Sequence, residues 1–198
     1  IDTFLIWKLT DGKKHLTDAT NASRTMLYDI DKNCWSKEIC DLLDIPIKML
    51  PEVLNCADNF GQTSSNIFDA SIPIASVAGD QHAATIGQAC FEPGMIKSTY
   101  GTGCFLMLNA GSKPVESKHQ LLSTIAWQIG EERTYALEVA VFVAGSLIQW
   151  LRDKMEFFQN ASETENIALS VEDSDPVEEV SEENEDLSNT EETGPNRT

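Results

Sequence analysis

The chain has 198 residues, of which 41% are apolar and 23% charged, so it is long and apolar enough to bury a core. Its formal net charge of −18 argues against nucleic acid as a partner, and no apolar run approaches the ~20 residues that span a bilayer. Residues 161–198 hold 13 acidic residues and one basic residue, so most of the excess charge lies at the C-terminal end.

The first part of the chain is predicted to contain short helices. Residues 2–9 are predicted to form a mostly buried helix. Residues 17–24 are too polar for a strand and are rich in side chains that bond the backbone locally, so they predict a capped turn and a short helix. Ser36 is placed to cap a helix that runs to about residue 43, and residues 46–51 contain a further short helix between two prolines.

The pattern changes at Ile72. Residues 74–78 predict a buried strand that delivers Asp80 at its C-terminal end, before a helix of small residues. An antiparallel meander of four strands and a helix over residues 142–158 follow. The predicted strands are Met95–Tyr100, Cys104–Asn109, Leu122–Ile129 and Thr134–Val139.

Asp80 is the first candidate for chemistry. A carboxylate at the C-terminal end of a buried strand, just before a helix, lies where open α/β sheets bind ligands. There it could accept a proton from a hydroxyl, as the aspartate of kinase sites does. The alternative is that Asp80 only caps the helix that follows it, and its position in the sequence leaves both open.

The glycine-bracketed turn Tyr100-Gly101-Thr102-Gly103 is the second candidate. Such a turn offers backbone N–H groups and a hydroxyl to a phosphate, although a tight hairpin alone also explains the glycines. Gly145, near the start of the last helix, either lets a nucleotide pack there or permits close packing of the helix on the sheet. Gln149, one turn later, is either a contact to that ligand or an ordinary exposed glutamine.

The cysteines and histidines predict no metal site. The five cysteines lack C-x-x-C spacing, which favours reduced thiols over zinc or a disulfide framework. His15, His82 and His119 show no metal-ligand spacing and are predicted to face solvent. With no secretory signal in the sequence, we expect a cytoplasmic protein.

Six segments, in order and at matching spacing, resemble the FGGY carbohydrate kinase family, and within it the members that phosphorylate glycerol. The resemblance is nearly continuous from residue 1 to about residue 158. The segments are TDATNASRTM (17–26), VAGDQ (77–81), GQACFEPGM (87–95), STYGTGCF (98–105), LSTIAW (122–127) and VFVAGSLIQWLRD (141–153).

The resemblance implies an incomplete actin-like ATPase fold, an α/β architecture of two ribonuclease-H-like domains with the active site between them. Residues 1–90 resemble the C-terminal part of the first, substrate-binding domain. Residues 91–160 resemble the N-terminal part of the second, nucleotide-binding domain, and residues 161–198 are predicted to be a disordered acidic tail. The implied activity is ATP-dependent phosphorylation of glycerol to glycerol 3-phosphate with Mg²⁺, and a homo-oligomer is compatible with it.

The resemblance also implies a role for each candidate residue. Asp80 would be the general base, in contact with glycerol and indirectly with Mg²⁺. Gln81 would contact a glycerol hydroxyl, and Phe105 would lie against the carbon skeleton. The residues implied for ATP or ADP are Thr102 and Gly103 on the β- and γ-phosphates, and Gly145 and Gln149 on the nucleotide side.

The sequence also departs from the family. The family's N-terminal phosphate loop, its substrate-binding Arg-Glu pair and its adenine-binding segment are not found in it. We therefore expect a fragment that is inactive alone. Two alternatives remain open: a non-catalytic fragment that binds a nucleotide or a protein partner, and a kinase for a related polyol or sugar.

Overall fold

The computed structural model describes residues 1–171, which form an α/β arrangement of short helices and one larger sheet. A 3₁₀ turn lies at Ile47–Met49. In chain order the other elements are α1 (Asp2–Leu9), β1 (Leu16–Asp18), α2 (Ala19–Ser23), β2 (Tyr28–Asp29), β3 (Cys34–Trp35), α3 (Lys37–Leu42), β4 (Glu52–Leu54), α4 (Ser65–Phe68), α5 (Asp80–Gly87), β5 (Ile96–Tyr100), β6 (Cys104–Gly111), β7 (Leu122–Ile129), β8 (Glu132–Val141), α6 (Gly145–Asp153) and α7 (Glu163–Leu169).

The larger sheet contains the four predicted strands, and each neighbouring pair is antiparallel. The turns after β5 and β7 have hairpin length, as predicted. The strand order is β5-β6-β8-β7, however, so the prediction of a meander is wrong. The connection over residues 112–121 is longer than a hairpin turn, and β7 pairs with the outer side of β8 instead of with β6.

Two smaller strand pairs lie in the first part of the chain: β1 with β4, in parallel, and β2 with β3, antiparallel. Thr17 and Asp18 therefore belong to a buried strand, contrary to the prediction from their polarity. Both have internal partners. The Thr17 hydroxyl donates to the Asp2 carboxylate at 2.5 Å, and Asp18 caps α2, so neither polar group is buried unpaired.

One hydrophobic cluster joins the two parts of the chain. Ala19 and Ala22 of α2 pack with Tyr28, and these residues contact Ile125 of β7 and Tyr135 of β8. Ile125 and Ala19 have no exposed surface. Helix α2 therefore lies on the larger sheet, and the two parts share a core.

Two of the predicted elements differ from the structure. Residues 74–78 form no regular strand. They exchange backbone hydrogen bonds with residues 56–61, but the two segments align only at isolated bridges, Ala57 with Ser76 and, just before the segment, Gln62 with Pro73. Helix α1 has its predicted bounds, but only Ile6 is buried, and Phe4 is 58% exposed.

The last two helices differ from the prediction: α6 is shorter than predicted, and α7 has no predicted counterpart. Helix α6 covers Gly145–Asp153, within the longer helix predicted over residues 142–158. The stretch predicted as a disordered tail begins with the exposed helix α7. The rest of that prediction, residues 172–198, lies outside the described residues. Between residues 1 and 171, no helix combines the length and the apolar composition needed to cross a membrane.

Candidate active site

Asp80 is the first residue of α5, and its side chain is exposed. Gly79 occupies the capping position before it, in extended backbone conformation. The Asp80 carboxylate accepts a hydrogen bond from the adjacent Gln81 N–H at 2.8 Å. Asp80 therefore does not hold the capping position, and its carboxylate faces solvent at the N-terminal end of a helix, where a negative charge is favourable.

Helix α5 packs on one face of the larger sheet, where it contacts β5 and β7. Alternate strand residues share a face, and the register pairs Thr99 with Phe105 and Lys97 with Met107, so these four side chains lie on the same face. The Thr85 hydroxyl of α5 contacts the Met107 sulfur at 3.1 Å, which identifies this face as the one that α5 covers. The structure thus brings Phe105 to the same side of the sheet as α5.

Lys97 connects α5 to β5. Its side chain is almost fully buried, at 3% exposure, and its ammonium donates to the Gln81 side-chain oxygen and to the Thr99 hydroxyl, the latter at 2.9 Å. Burial lowers the pKa of Lys97, while the Asp80 and Glu138 carboxylates oppose that shift. Gln81 is therefore held beside Asp80 by a buried cation.

A second buried charge lies on the same face. Glu138, on β8, is 6% exposed, and one of its carboxylate oxygens lies 2.5 Å from the Arg24 guanidinium as an ion contact. Sequence reasoning missed Lys97, Glu138 and the role of Arg24. The sequence did contain a signal for two of them. Strand alternation places Lys97 and Glu138 on the inward face of their strands, where a charged residue is rare.

The glycine turn packs tightly against the start of α6. The Gly145 N–H donates to the Gly101 carbonyl at 2.9 Å, and the Ala144 N–H donates to the Thr102 carbonyl at the same distance. A Cβ atom on Gly145 would lie 2.6 Å from the Gly101 oxygen, and one on Gly103 would lie 2.6 Å from a β8 carbonyl oxygen. These glycines are needed for close packing of the backbone, which is the alternative that the sequence left open for Gly145.

The predicted site residues thus form two groups. Asp80, Gln81 and Phe105 lie on the α5 side of the sheet, whereas Thr102 and Gly103 lie in the turn that Gly145 contacts. Strand β5 links the groups, because it carries Lys97 and runs into the turn. Gln149 lies one helical turn after Gly145 on α6 and is exposed.

His82 corrects one prediction. It was expected to face solvent, but it is 2% exposed, and neither of its ring nitrogens has a hydrogen-bond partner within the described residues. Burial lowers its pKa to about 4. The helical period explains the difference, because positions 82 and 85 of α5 face the sheet while position 80 faces outward.

The residues present are compatible with Mg²⁺ but do not form a closed metal site. Mg²⁺ commonly keeps several waters and is held by one or two carboxylates together with substrate phosphates. Asp80 supplies one exposed carboxylate of this kind. Residues 1–171 contain no group of three or more histidine, cysteine, aspartate or glutamate side chains placed to hold a metal by themselves.

Two domains of one protein family match successive parts of the chain. Residues 1–87 match the N-terminal domain of the FGGY family of carbohydrate kinases, and residues 96–194 match its C-terminal domain. The domain bounds predicted at residues 90 and 160 stay predictions, and the second match extends beyond residue 160.

Curated relatives include a glycerol kinase of Cereibacter sphaeroides, 59% identical over 170 residues, and one of Roseobacter denitrificans, 61% identical over 168 residues. These alignments cover 86% and 85% of this chain, respectively, and 34% of each relative. The chain therefore spans about a third of the length of the relatives it matches.

Solved structures agree. A Plasmodium falciparum glycerol kinase determined with ADP superposes with a TM-score of 0.81 at 40% identity, covering 86% of this chain and 34% of that one. A xylulose kinase of Lactobacillus acidophilus, at 19% identity and a TM-score of 0.73 over 85% of this chain and 34% of the other, has the same fold over the aligned part. With both family domains matched along its length, the chain belongs to the FGGY family of carbohydrate kinases.

Proposed function

We propose that this chain supplies the catalytic base and part of the phosphate-binding surface of an ATP-dependent glycerol kinase. One observation carries the proposal: helix α5 begins with an exposed Asp80, and the neighbouring Gln81 bonds Lys97 of β5, the strand that leads into the glycine turn. The relatives named glycerol kinase favour glycerol as the substrate.

In the proposed reaction, Asp80 accepts the proton of one glycerol hydroxyl. The freed oxygen forms a bond to the terminal phosphorus of ATP, the bond from that phosphorus to the bridging oxygen breaks, and ADP leaves. Gln81 contacts a second hydroxyl, and Phe105 packs against the carbon atoms of the substrate. Most of the rate acceleration in such a transfer comes from positioning and from neutralising charge.

The turn supplies the proposed nucleotide contacts. The exposed Thr102 and the neighbouring Gly103 would face the β- and γ-phosphates, with Gly145 and Gln149 on the nucleotide side. The N–H groups of residues 144–146 already bond the turn carbonyls, so Gly145 contributes through close packing that holds the turn in place. Mg²⁺, held by phosphates, waters and Asp80, would neutralise phosphate charge.

A chimera tests the proposal. The part of this chain that aligns with the Cereibacter sphaeroides glycerol kinase replaces the matched 170 residues of that enzyme, and glycerol-dependent ADP release is measured. We expect turnover in the chimera, none in the isolated chain, and a loss of about 10²- to 10⁴-fold in kcat for Asp80→Asn. Glu38→Gln, which changes an exposed carboxylate in the first turn of α3, is the matched control and should leave kcat unchanged.

Two results would contradict the proposal: a folded chimera without glycerol-dependent turnover, or an Asp80→Asn chimera that keeps its kcat. Assays with longer polyols in place of glycerol distinguish the related alternative. Faster turnover of a four- or five-carbon polyol would assign the site to that substrate class, while the role of Asp80 would remain.

A further inference from the structure

Lys97 is unusual because its charged group is buried inside a strand. Lysine is rarely fully buried without partners, since an unpaired ammonium loses its hydration. Here two of its hydrogens are used, one on the Gln81 side-chain oxygen and one on the Thr99 hydroxyl. The nearby carboxylates of Asp80 and Glu138 favour the charged form.

The identity of the bonded atom on Gln81 follows from chemistry. An ammonium group has three donors and no acceptor, so the amide atom that faces it is the carbonyl oxygen. The amide NH₂ group of Gln81 is then directed to the opposite side of the planar amide. Rotating the amide by 180° would place NH₂ hydrogens against the ammonium, and the hydrogen bond between the two groups would be lost.

We propose that Lys97 is a positioning residue that fixes the Gln81 amide so that its NH₂ group, and not its carbonyl, faces the substrate beside Asp80. This inference rests on the proposed function. Asp80, when ionised, only accepts hydrogen bonds, and the fixed Gln81 only donates on that side. The pair therefore recognises a vicinal diol: one hydroxyl gives its proton to Asp80, and the neighbouring hydroxyl oxygen accepts from Gln81.

Side-chain amide NMR of the full 198-residue chain tests the orientation without requiring activity. The Gln81 NH₂ signal is identified by its loss in Gln81→Glu. We expect it to lie outside the range of exposed glutamines in the wild type, to move into that range in Lys97→Met, and to keep its position in Lys97→Arg, whose guanidinium also only donates. Lys113→Met, at an exposed loop lysine, is the matched control and should change nothing.

Removal of the Lys97 charge leaves Glu138 buried beside Arg24 and could prevent folding, so the double variant Lys97→Met/Glu138→Gln is measured as well. The wild-type spectrum already decides one point. A Gln81 signal at the exposed position in the wild type, or one that Lys97→Met and the double variant do not move, would overturn the inference.

Kinetics in the chimera separate this inference from the proposed function. With glycerol, Lys97→Met should raise KM about tenfold, the effect of losing one hydrogen bond to a substrate hydroxyl, with a smaller effect on kcat. With a propanediol that lacks the neighbouring hydroxyl, the same variant should leave KM unchanged. Equal KM changes for both substrates would refute the role of Lys97, whereas a parent chimera without turnover would refute the proposed function itself.

Discussion

Asp18 is a fully buried carboxylate that determines where α5 begins. It accepts hydrogen bonds from the Thr20 N–H at 2.9 Å, from the Thr20 hydroxyl at 2.6 Å and from the Asn21 side chain at 2.7 Å. The Thr20 hydroxyl oxygen in turn accepts the Gly79 N–H at 2.8 Å. Because Gly79 directly precedes Asp80, this buried network fixes the backbone that presents the proposed base.

Thr20→Val should therefore destabilise the chain by roughly 3 kcal/mol, since it removes a donor from a buried carboxylate and an acceptor from the Gly79 N–H at a site with no access to water. Urea unfolding followed by circular dichroism measures the change. Thr20→Ser keeps the hydroxyl and is the control. Equal unfolding free energies for the two variants would mean that the hydrogen bonds of the Thr20 hydroxyl add no measurable stability, and would contradict this prediction.

Single residues were predictable only where their environment is local. Ser36 was correctly predicted as a cap, because the N–H of Ile39 that it bonds lies three residues away. His82 and Lys97 were not recognised, because the groups around them come from distant parts of the chain. A residue type alone does not indicate whether such a neighbour exists.

The β5–β6 hairpin and helix α6 behave as one unit. The turn carbonyls of Gly101 and Thr102 accept the N–H groups of residues 144–146, and the Ser146 hydroxyl also donates to Thr102, at 3.0 Å. The first turn of α6 thus obtains its hydrogen-bond partners from the hairpin. A movement of α6 would consequently move the turn proposed to hold phosphate.

Gly103→Ala should disturb this unit. The added Cβ would lie 2.6 Å from the Val141 carbonyl oxygen, a backbone atom that cannot rotate away, so we expect a loss of about 1 to 3 kcal/mol in unfolding free energy. Gly87→Ala is the matched control, because nothing lies within 4 Å of its Cβ position and alanine favours the end of α5. Thermal unfolding of both variants measures the difference: equal melting temperatures would contradict the close packing of Gly103 against the Val141 carbonyl.

Hairpins were the elements that the sequence predicted best, because their strands and turns are adjacent in the chain. All four strands of the larger sheet were predicted, but their order in the sheet was not. Residues 74–78 have the apolar composition of a strand, and several of their backbone groups bond residues 56–61, but the two segments align only at isolated bridges, so no regular ladder forms. Pairing with a distant segment depends on that segment as well.

At the scale of the whole molecule, backbone and side-chain contacts connect the regions that match the two family domains. The Cys56 N–H donates to the Gln128 carbonyl of the edge strand β7 at 2.8 Å, and the Gln128 N–H lies 3.3 Å from the Cys56 sulfur. The Cys56 thiol also donates to the Asp18 carboxylate at 3.2 Å. The sequence predicts only a reduced thiol here, but Cys56 connects the network behind Asp80 to the larger sheet, a contact that no local pattern predicts.

Burial of Cys56 and Tyr28 at this junction makes the stability of the chain sensitive to alkaline pH. Burial raises the pKa of Cys56 from 9.0 to about 12 and that of Tyr28 from 10.0 to about 12. In the unfolded chain both groups release their protons near their ordinary pKa values, whereas the folded chain retains them. The unfolded state therefore binds fewer protons above pH 9, and the free energy of unfolding falls with rising pH through the folded pKa values.

We accordingly expect these two groups to contribute fully to the free energy of unfolding below pH 9. By about pH 11 the free energy of unfolding should have fallen by a few kcal/mol. Urea unfolding at a series of pH values between 8 and 11 measures the slope. Tyr28→Phe and Cys56→Ser, which cannot ionise in this range, should each flatten it, and Cys34→Ser, at an exposed thiol, should not. A slope that persists unchanged in the Tyr28→Phe/Cys56→Ser double variant would mean that other groups ionise on unfolding and that the junction is not the pH-sensitive part of the molecule.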